Sequence, residues 1–359
     1  MSTRTKILMA FIAFSAMASC KKDNSFPTNS NSSSDEIRSA PPGGNYWITR
    51  QNFPEPTVAA ASFVINGKGY VFKGSSPLGV NILWEYDPSF NTWTQKASMP
   101  STKFHRNPAA FVINNNAYLV GGHTDYDVID RGTSRELWEY NQTTNSWRRL
   151  RDLPEGRAEA TGFSINGKGY VAMGLTGMWA SEVRFHSDVL EYDPVADSWR
   201  TKITLVDPSQ NPARSKAISF VINNKAYIGL GWGLDNHHKA DLWEFDPVPN
   251  VFRRKADIPE GRSGAFSFAI GSVGYVGTGF KESPTGDEMA DKDFWSYNPS
   301  SNTWTRRADV PGPARGYAFG FAIGSYGYAG AGFIDTPTGF IYDDKFYRYI
   351  RSTVSSISN

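Results

Sequence analysis

One unit recurs six times along this chain, and that recurrence constrains the fold more than any other feature. The phrases "FVINGKGYVFKG", "FVINNNAYLVGG", "FSINGKGYVAMG", "FVINNKAYIGLG", "FAIGSVGYVGTG" and "FAIGSYGYAGAG" align on Tyr70, Tyr118, Tyr170, Tyr227, Tyr275 and Tyr328. A glycine follows each tyrosine by four residues: Gly74, Gly122, Gly174, Gly231, Gly279 and Gly332. Each phrase reads as two strands joined by a tight turn, with Asn-Gly, Asn-Asn or Gly-Ser at the turn itself. After a loop of variable length come "LWEYDPSFNTW", "LWEYNQTTNSW", "VLEYDPVADSW", "LWEFDPVPNVF" and "FWSYNPSSNTW". These read as a third strand, a turn, and a fourth strand opening on Trp93, Trp147, Trp199, Phe252 or Trp304. Four antiparallel strands at a period of about 50 residues make one propeller blade.

The sixth copy stops short. It runs through "DKFYRYI" and then dissolves into "RSTVSSISN", so its fourth strand is missing. A surplus fourth strand lies at the other end: "YWITRQNFP" matches "TWTQKASMP" and "TWTRRADVP", with Trp47 in the tryptophan position. The expected fold is all-β, a six-bladed β-propeller over residues 46–350, its ring closed by residues 46–53 completing the last blade. First strands carry small residues, as in "AAASF" and "GAFSF", which lets six of them crowd round one axis. The blade aromatics and the repeated acids Glu85, Glu139, Glu191 and Glu244 are expected to pack and pair structurally.

Lys and Arg exceed Asp and Glu by two, and Arg4 and Lys6 supply that excess. Without them the balance is zero, which argues against a nucleic-acid binder driven by bulk charge. After those two cations come an apolar run at 7–18, then Ala18, Ser19 and the only cysteine, Cys20. The stretch resembles a bacterial lipoprotein signal, which implies cleavage after residue 19 and a lipidated Cys20. Residues 20–45 are Ser/Asn-rich and read as a flexible tether, and 351–359 as a tail. The implied location is the bacterial cell envelope, with the protein exported, lipid-anchored and monomeric.

The Tyr-x₃-Gly strand ends, "EYDP" and the following Trp resemble kelch repeats. More narrowly, "EYDPSFNTWTQKASMP" and "FAIGSVGYVGTGF" are similar to galactose-oxidase-like kelch lipoproteins of the Bacteroidetes. Galactose oxidase chemistry requires a tyrosine crosslinked to a cysteine at a copper centre. Here Cys20 lies outside the propeller, so that activity is not expected, and neither a metal nor a cofactor is assigned.

Loops leading into first strands share a face with the loops between second and third strands. Arg157, Arg214, Arg262 and Arg315 each stand six residues before a first-strand aromatic, and blade two offers His105 there with Arg106 beside it. The pattern resembles the arginines with which kelch adaptors hold acidic peptides, and guanidinium forks suit carboxylates. The alternative is that each arginine pairs locally with an acid of the next blade. His105, His123, His186, His237 and His238 all fall on this face, either solvated or, if three or four converge, around a metal. Tyr126, Trp179, Trp232, Phe280 and Phe333 could stack on sugar rings or plug the funnel. Phosphate loops, nucleophile elbows and metalloprotease helices are not found. The expected function is binding of a carbohydrate, an acidic small molecule or a protein partner at this mouth. The alternative is a sugar-modifying enzyme, since a sialic-acid epimerase also resembles a six-bladed kelch propeller.

Overall fold

The computed structural model describes residues 45–76, 79–124, 132–177, 183–206, 212–336 and 339–351. Cys20, the proposed signal and nearly all of the tether lie outside them, as do Tyr126 and Trp179. Six four-stranded antiparallel sheets form, each in simple meander order except the last. Blade one comprises Ala61–Ile65, Lys68–Ser76, Gly79–Asp87 and Thr92–Lys96. The other first strands are Ala109–Ile113, Thr161–Ile165, Ile218–Ile222, Phe266–Ile270 and Phe319–Ile323. Each first strand lies against the next, and the sixth lies against the first, so the sheets close into a six-bladed propeller.

The turns follow from local chemistry. Asn66-Gly67, Asn114-Asn115, Asn166-Gly167 and Asn223-Asn224 all hold φ between 48° and 74°. Two successive left-handed residues define the hairpin turn whose twist matches the flanking strands, and Asn and Gly tolerate it best. Between blades, packing is tight enough to dictate residue size. A Cβ on Gly69 would lie 2.3 Å from the Phe321 ring of blade six, and one on Gly274 would lie 2.2 Å from Phe220.

Closure occurs as the sequence implies. Tyr46–Thr49 pairs antiparallel with Gly339–Ile350, setting Trp47 opposite Tyr349. The bonding continues along the same edge, Arg50, Phe53 and Thr57 donating backbone N–H groups to Phe346, Asp344 and Asp343. Four other blade tryptophans, Trp93, Trp147, Trp199 and Trp304, donate their indole N–H to a backbone carbonyl on the preceding blade's outer edge, at 2.7–3.1 Å. Trp47 does the same, reaching Ala308 O at 3.0 Å, and so joins blade six to blade five. Its ring also sits against Phe294 and Tyr349, centroids 5.0 and 5.1 Å away.

The repeated acids are structural, as anticipated. Glu139, Glu191 and Glu244 accept from the tyrosine hydroxyls of Tyr118, Tyr170 and Tyr227 at 2.8–3.0 Å, and Glu85 accepts from Tyr70. Blade six departs from expectation in one respect. Its third strand starts well before "DKFYRYI", at Gly339, and pairs with the eleven-residue strand Tyr326–Thr336. The resulting hairpin leaves Phe340, Ile341 and Tyr342 about half exposed.

Trp47→Ala removes both ring packing and the bond to Ala308, and is expected to cost about 3 kcal/mol in urea unfolding. Trp47→Phe keeps most of the packing and should cost about 1 kcal/mol. Wild-type stability in Trp47→Ala would show that the closing strand contributes nothing.

Candidate functional site

Two residues beyond each arginine position, the chain turns into its first strand through a left-handed residue. These are Ala59, Asn107, Glu159, Lys216, Gly264 and Tyr317, with φ between 51° and 62°. Their backbones form a closed ring: each N–H donates to the carbonyl of the equivalent residue one blade back, at 2.8–3.4 Å, and Ala59 completes the circle on Tyr317. These six residues, with the residue following each, line an axial cavity of about 140 Å³. Five of the six following residues are alanine and the sixth is Pro108, so the walls are smooth. Only the left-handed residues bring chemistry: Asn107, Glu159, Lys216 and Tyr317.

Electrostatics make this cup asymmetric. Lys216 Nζ stands 5.2 Å from the centre of the Tyr317 ring. Burial alone would lower the lysine; the Tyr317 hydroxyl and the Glu159 and Glu288 carboxyls outweigh it and hold Lys216 above its ordinary value. Burial likewise pushes Glu159 up, but Lys216 and His123 prevail and bring it down to about 2. Glu159 Oε1 lies 3.4 Å from His123 Nε2, and the side chain is 11% exposed. Glu288 behaves oppositely. It comes from Glu288–Ala290, which pairs with Phe280–Glu282, and burial raises its carboxyl against the opposing charge of Lys216. Phe280 packs on Tyr317 at 5.5 Å and on Phe333 at 5.8 Å, and Phe333 on Phe340 at 4.4 Å. An aromatic track thus leads from the cup to the exposed hairpin of blade six.

The arginines themselves lie beneath this surface. Arg157, Arg214, Arg262 and Arg315 are 0–3% exposed. Arg157 forks onto Asp188 at 2.7 and 3.2 Å, and Arg214 onto Asp241 at 2.5 and 2.8 Å. Arg262 pairs with Asp293 and Arg315 with Asp343. Each also donates to a carbonyl sixteen residues on, Met173, Leu230, Thr278 or Ala331, at 3.3 Å. The partner acid belongs to the same blade, not the next one, standing at or just before the start of the third strand in blades three to five and within it in blade six. His105 takes the arginine's place in blade two, bonding Gly121 O at 2.7 Å and lying 3.3 Å from Glu136. Blade one inverts the pair, with Lys73 on Glu55 at 3.0 Å. Every fork is engaged within its own blade.

The remaining candidates scatter around the mouth. Arg106 pairs through its backbone with His123, at 2.6 and 3.0 Å. His186 lies buried between Arg157, at 3.2 Å, and the Thr176 hydroxyl, at 2.7 Å. His237 is exposed and bonds Glu282 at 2.7 Å, while Trp232 stands edge-on to His238 at 4.8 Å. Among the described residues, three carboxyls converge at Glu260, Asp291 and Asp293. Lys281 already bonds Glu260 and Asp291 at 2.5 Å each, and Arg262 holds Asp293.

Residues 45–231 match the family model described as the KLHDC2/KLHL20/DRC7 Kelch-repeats domain. Kelch-like protein 25 of Xenopus tropicalis is 27% identical over 270 residues, 74% of this chain and 43% of that protein. Kelch-like protein terF of Aspergillus terreus is 24% identical over 280 residues, 74% of this chain and 58% of that protein. The chain therefore spans about half the length of these relatives. A solved structure titled "Structure of YjhT" superposes with a TM-score of 0.67 at 17% identity, over 84% of this chain and 99% of that one. That likeness concerns the fold alone.

Two outcomes follow from the buried groups. Arg262→Met strands Asp293 and should cost about 3–5 kcal/mol, whereas Arg262→Met with Asp293→Leu should recover most of it, read by chemical denaturation. His186 is lowered from 6.5 to about 4, by burial and then by the Arg157 charge. Its contribution is complete above pH 6.5 and lost as pH falls towards 4, because the unfolded chain binds the proton more readily. Unfolding free energy should drop by on the order of 2 kcal/mol across that window, and His186→Asn should flatten the slope.

Proposed function

The chain belongs to the kelch-repeat family, and on that premise we propose that it is a binding module whose ligand or protein partner engages the axial cup. One observation carries this reading: Glu159, Lys216 and Tyr317 occupy left-handed positions that glycine would fill at least strain. Gly264 occupies the equivalent place in blade five. Bulky polar residues at strained positions, gathered on one cavity, are the pattern of a site kept against a stability cost. The four arginines act as its foundation, since each is buried and paired with an aspartate of its own blade. The N-terminal sequence supports export and anchoring at Cys20 in a bacterial envelope, where acyl chains hold the protein at about 0.8 kcal/mol per buried CH₂. A sugar-modifying activity is the second reading. What favours it is the opposed behaviour of two carboxyls near the axis, Glu159 held at about 2 by Lys216 and His123 and Glu288 pushed up by burial. Such divergence suits one carboxyl to accept a proton and another to give it.

Asn107→Tyr provides the test, because Tyr317 already shows that this ring geometry accommodates tyrosine. A ligand found by thermal-shift screening of glycans and peptides should add about 2.7 kcal/mol at 100 times its dissociation constant. Asn107→Tyr, which fills the cup, should abolish that gain. Stabilisation that survives the substitution places the ligand elsewhere and removes the axial reading. Solvent deuterium entering a bound sugar, and lost in Glu288→Gln, would move the assignment to the enzyme.

A further inference from the structure

The far end of the blades, opposite the cup, repeats one polar arrangement four times and then breaks it. In blades one to four the second-strand tyrosine faces a third-strand glutamate: Tyr70 and Glu85, Tyr118 and Glu139, Tyr170 and Glu191, Tyr227 and Glu244. Each carboxylate accepts from that hydroxyl and also pairs with a cation. In blades one, three and four a lysine three residues past the fourth-strand aromatic joins it. Lys96, Lys202 and Lys255 lie 3.5, 3.3 and 3.1 Å from their glutamates.

Blade five keeps the tyrosine and the cation but not the acid. Ser296 stands opposite Tyr275, and Arg307, three residues past Trp304, donates from Nε to the Ser296 hydroxyl at 2.8 Å. Arg351 reaches the same corner from the end of blade six, its Nη1 donating to Ile270 O at 3.4 Å. The Tyr275 and Tyr349 rings lie together there, centroids 5.6 Å apart, and the Tyr349 hydroxyl donates to Asn45 Oδ1 at 2.7 Å. Burial raises both phenols, Arg307 and Arg351 oppose it at each, and no carboxylate of the described residues acts on either. Blade six does not supply the acid: opposite Tyr328 stands Arg348, over the Tyr326 ring at 4.9 Å.

Two guanidiniums therefore share two phenols where each of four other blades seats a carboxylate. Like charges gathered without a counter-charge repel, and an anion between them relieves the repulsion. Arg351 is exposed and Arg307 half-buried, so both can be met from solvent, while Ser296 and Tyr275 beneath them are 3% and 1% exposed. The four glutamates show which anion suits the place: a planar carboxylate, which a guanidinium can hold through both oxygens.

We propose that this corner of blades five and six is a second site, one that takes a carboxylate between Arg307 and Arg351 with the Tyr275 hydroxyl beneath it. It lies at the opposite end of the blades from the cup and does not depend on the cup binding anything. The carboxylate belongs either to a separate acidic molecule or to Asp35 and Glu36 of this chain, in the stretch that leads to Asn45.

Citrate is the probe, tested on the full chain by calorimetry and thermal unfolding, with sodium chloride at equal ionic strength as the blank. Citrate should bind saturably, and Arg307→Met and Arg351→Met should each weaken it at least tenfold. Arg351→Met changes an exposed residue, so its unfolding temperature without citrate should stay as in wild type. Ser296→Glu supplies the glutamate of the other blades and should raise the unfolding temperature while removing citrate binding. Asp35→Asn with Glu36→Gln separates the sources: tighter citrate binding assigns the native carboxylate to the chain itself, and unchanged binding to a separate molecule. Citrate binding that persists undiminished in Arg351→Met or in Ser296→Glu would overturn the site. So would its absence from both wild type and the Asp35→Asn, Glu36→Gln variant. Inorganic phosphate held more tightly than citrate by the same two arginines would overturn the carboxylate assignment.

Discussion

Six backbone hydrogen bonds run head to tail around the propeller axis, and each requires a residue in the left-handed conformation. The conformation turns the incoming loop by the angle needed to enter the first strand. It also aims one residue's carbonyl at the next blade's N–H. For residues other than glycine this costs roughly 1–2 kcal/mol each. Only the geometry of a closed ring over-determines the conformation enough to sustain it at Ala59, Asn107, Glu159, Lys216 and Tyr317 together. A ring has no ends, so the bond from Ala59 to Tyr317 is as necessary as any other. That bond joins blade one to blade six, the junction that the N-terminal strand seals from outside. Trp93 at the rim, bonded to Gln51 O, and Ala59 at the axis, bonded to Tyr317 O, are two ends of that junction.

What the sequence disclosed, and what it withheld, follow the range of the interactions concerned. Turns were legible because Asn-Gly and Asn-Asn act within two residues. The closing strand was legible because "YWITRQNFP" repeats a pattern present in other blades. The arginines were visible as a repeat, but their partners were not. Asp188, Asp241, Asp293 and Asp343 stand 31, 27, 31 and 28 residues further on, across loops that vary in length. No fixed spacing marks them. The cup residues were missed for the opposite reason. They lie at constant spacing, two beyond the arginine position, yet their identities vary from Ala to Glu to Tyr, so alignment by likeness passes over them. Variation at one fixed phase of an otherwise uniform repeat was the signal available.

The two polar layers at this mouth differ in how their charges are held. Below, each guanidinium bonds an aspartate and a carbonyl sixteen residues on, with its charge out of water. Such a pair adds little net stability over an apolar substitute, since desolvation opposes the attraction. It does fix where the loop enters the first strand, and therefore where the left-handed residue stands. Above, Lys216 and His123 hold the Glu159 carboxyl low, and the Lys216 ammonium stands over the Tyr317 ring. The lower layer fixes geometry, and under the binding reading the upper one carries the polar groups a ligand would meet.

Sixfold repetition yields a symmetric scaffold, and recognition of any one ligand requires that symmetry to be broken. Here the breakage is ordered around the ring. Blades one, two and five contribute Ala59, Asn107 and Gly264, whereas blades three, four and six contribute Glu159, Lys216 and Tyr317. The longest hairpin, Tyr326–Thr336 with Gly339–Ile350, rises on the same side, and its aromatics connect through Phe333 and Phe280 to Tyr317. Because Phe340 packs on Phe333 and the strands stay paired to Thr336 and Gly339, the hairpin stands as a wall. A ligand group seated in the cup therefore has an apolar surface on one flank only. Polar contacts at the axis would set which group enters, and the blade-six wall would set the direction from which the rest of the ligand approaches.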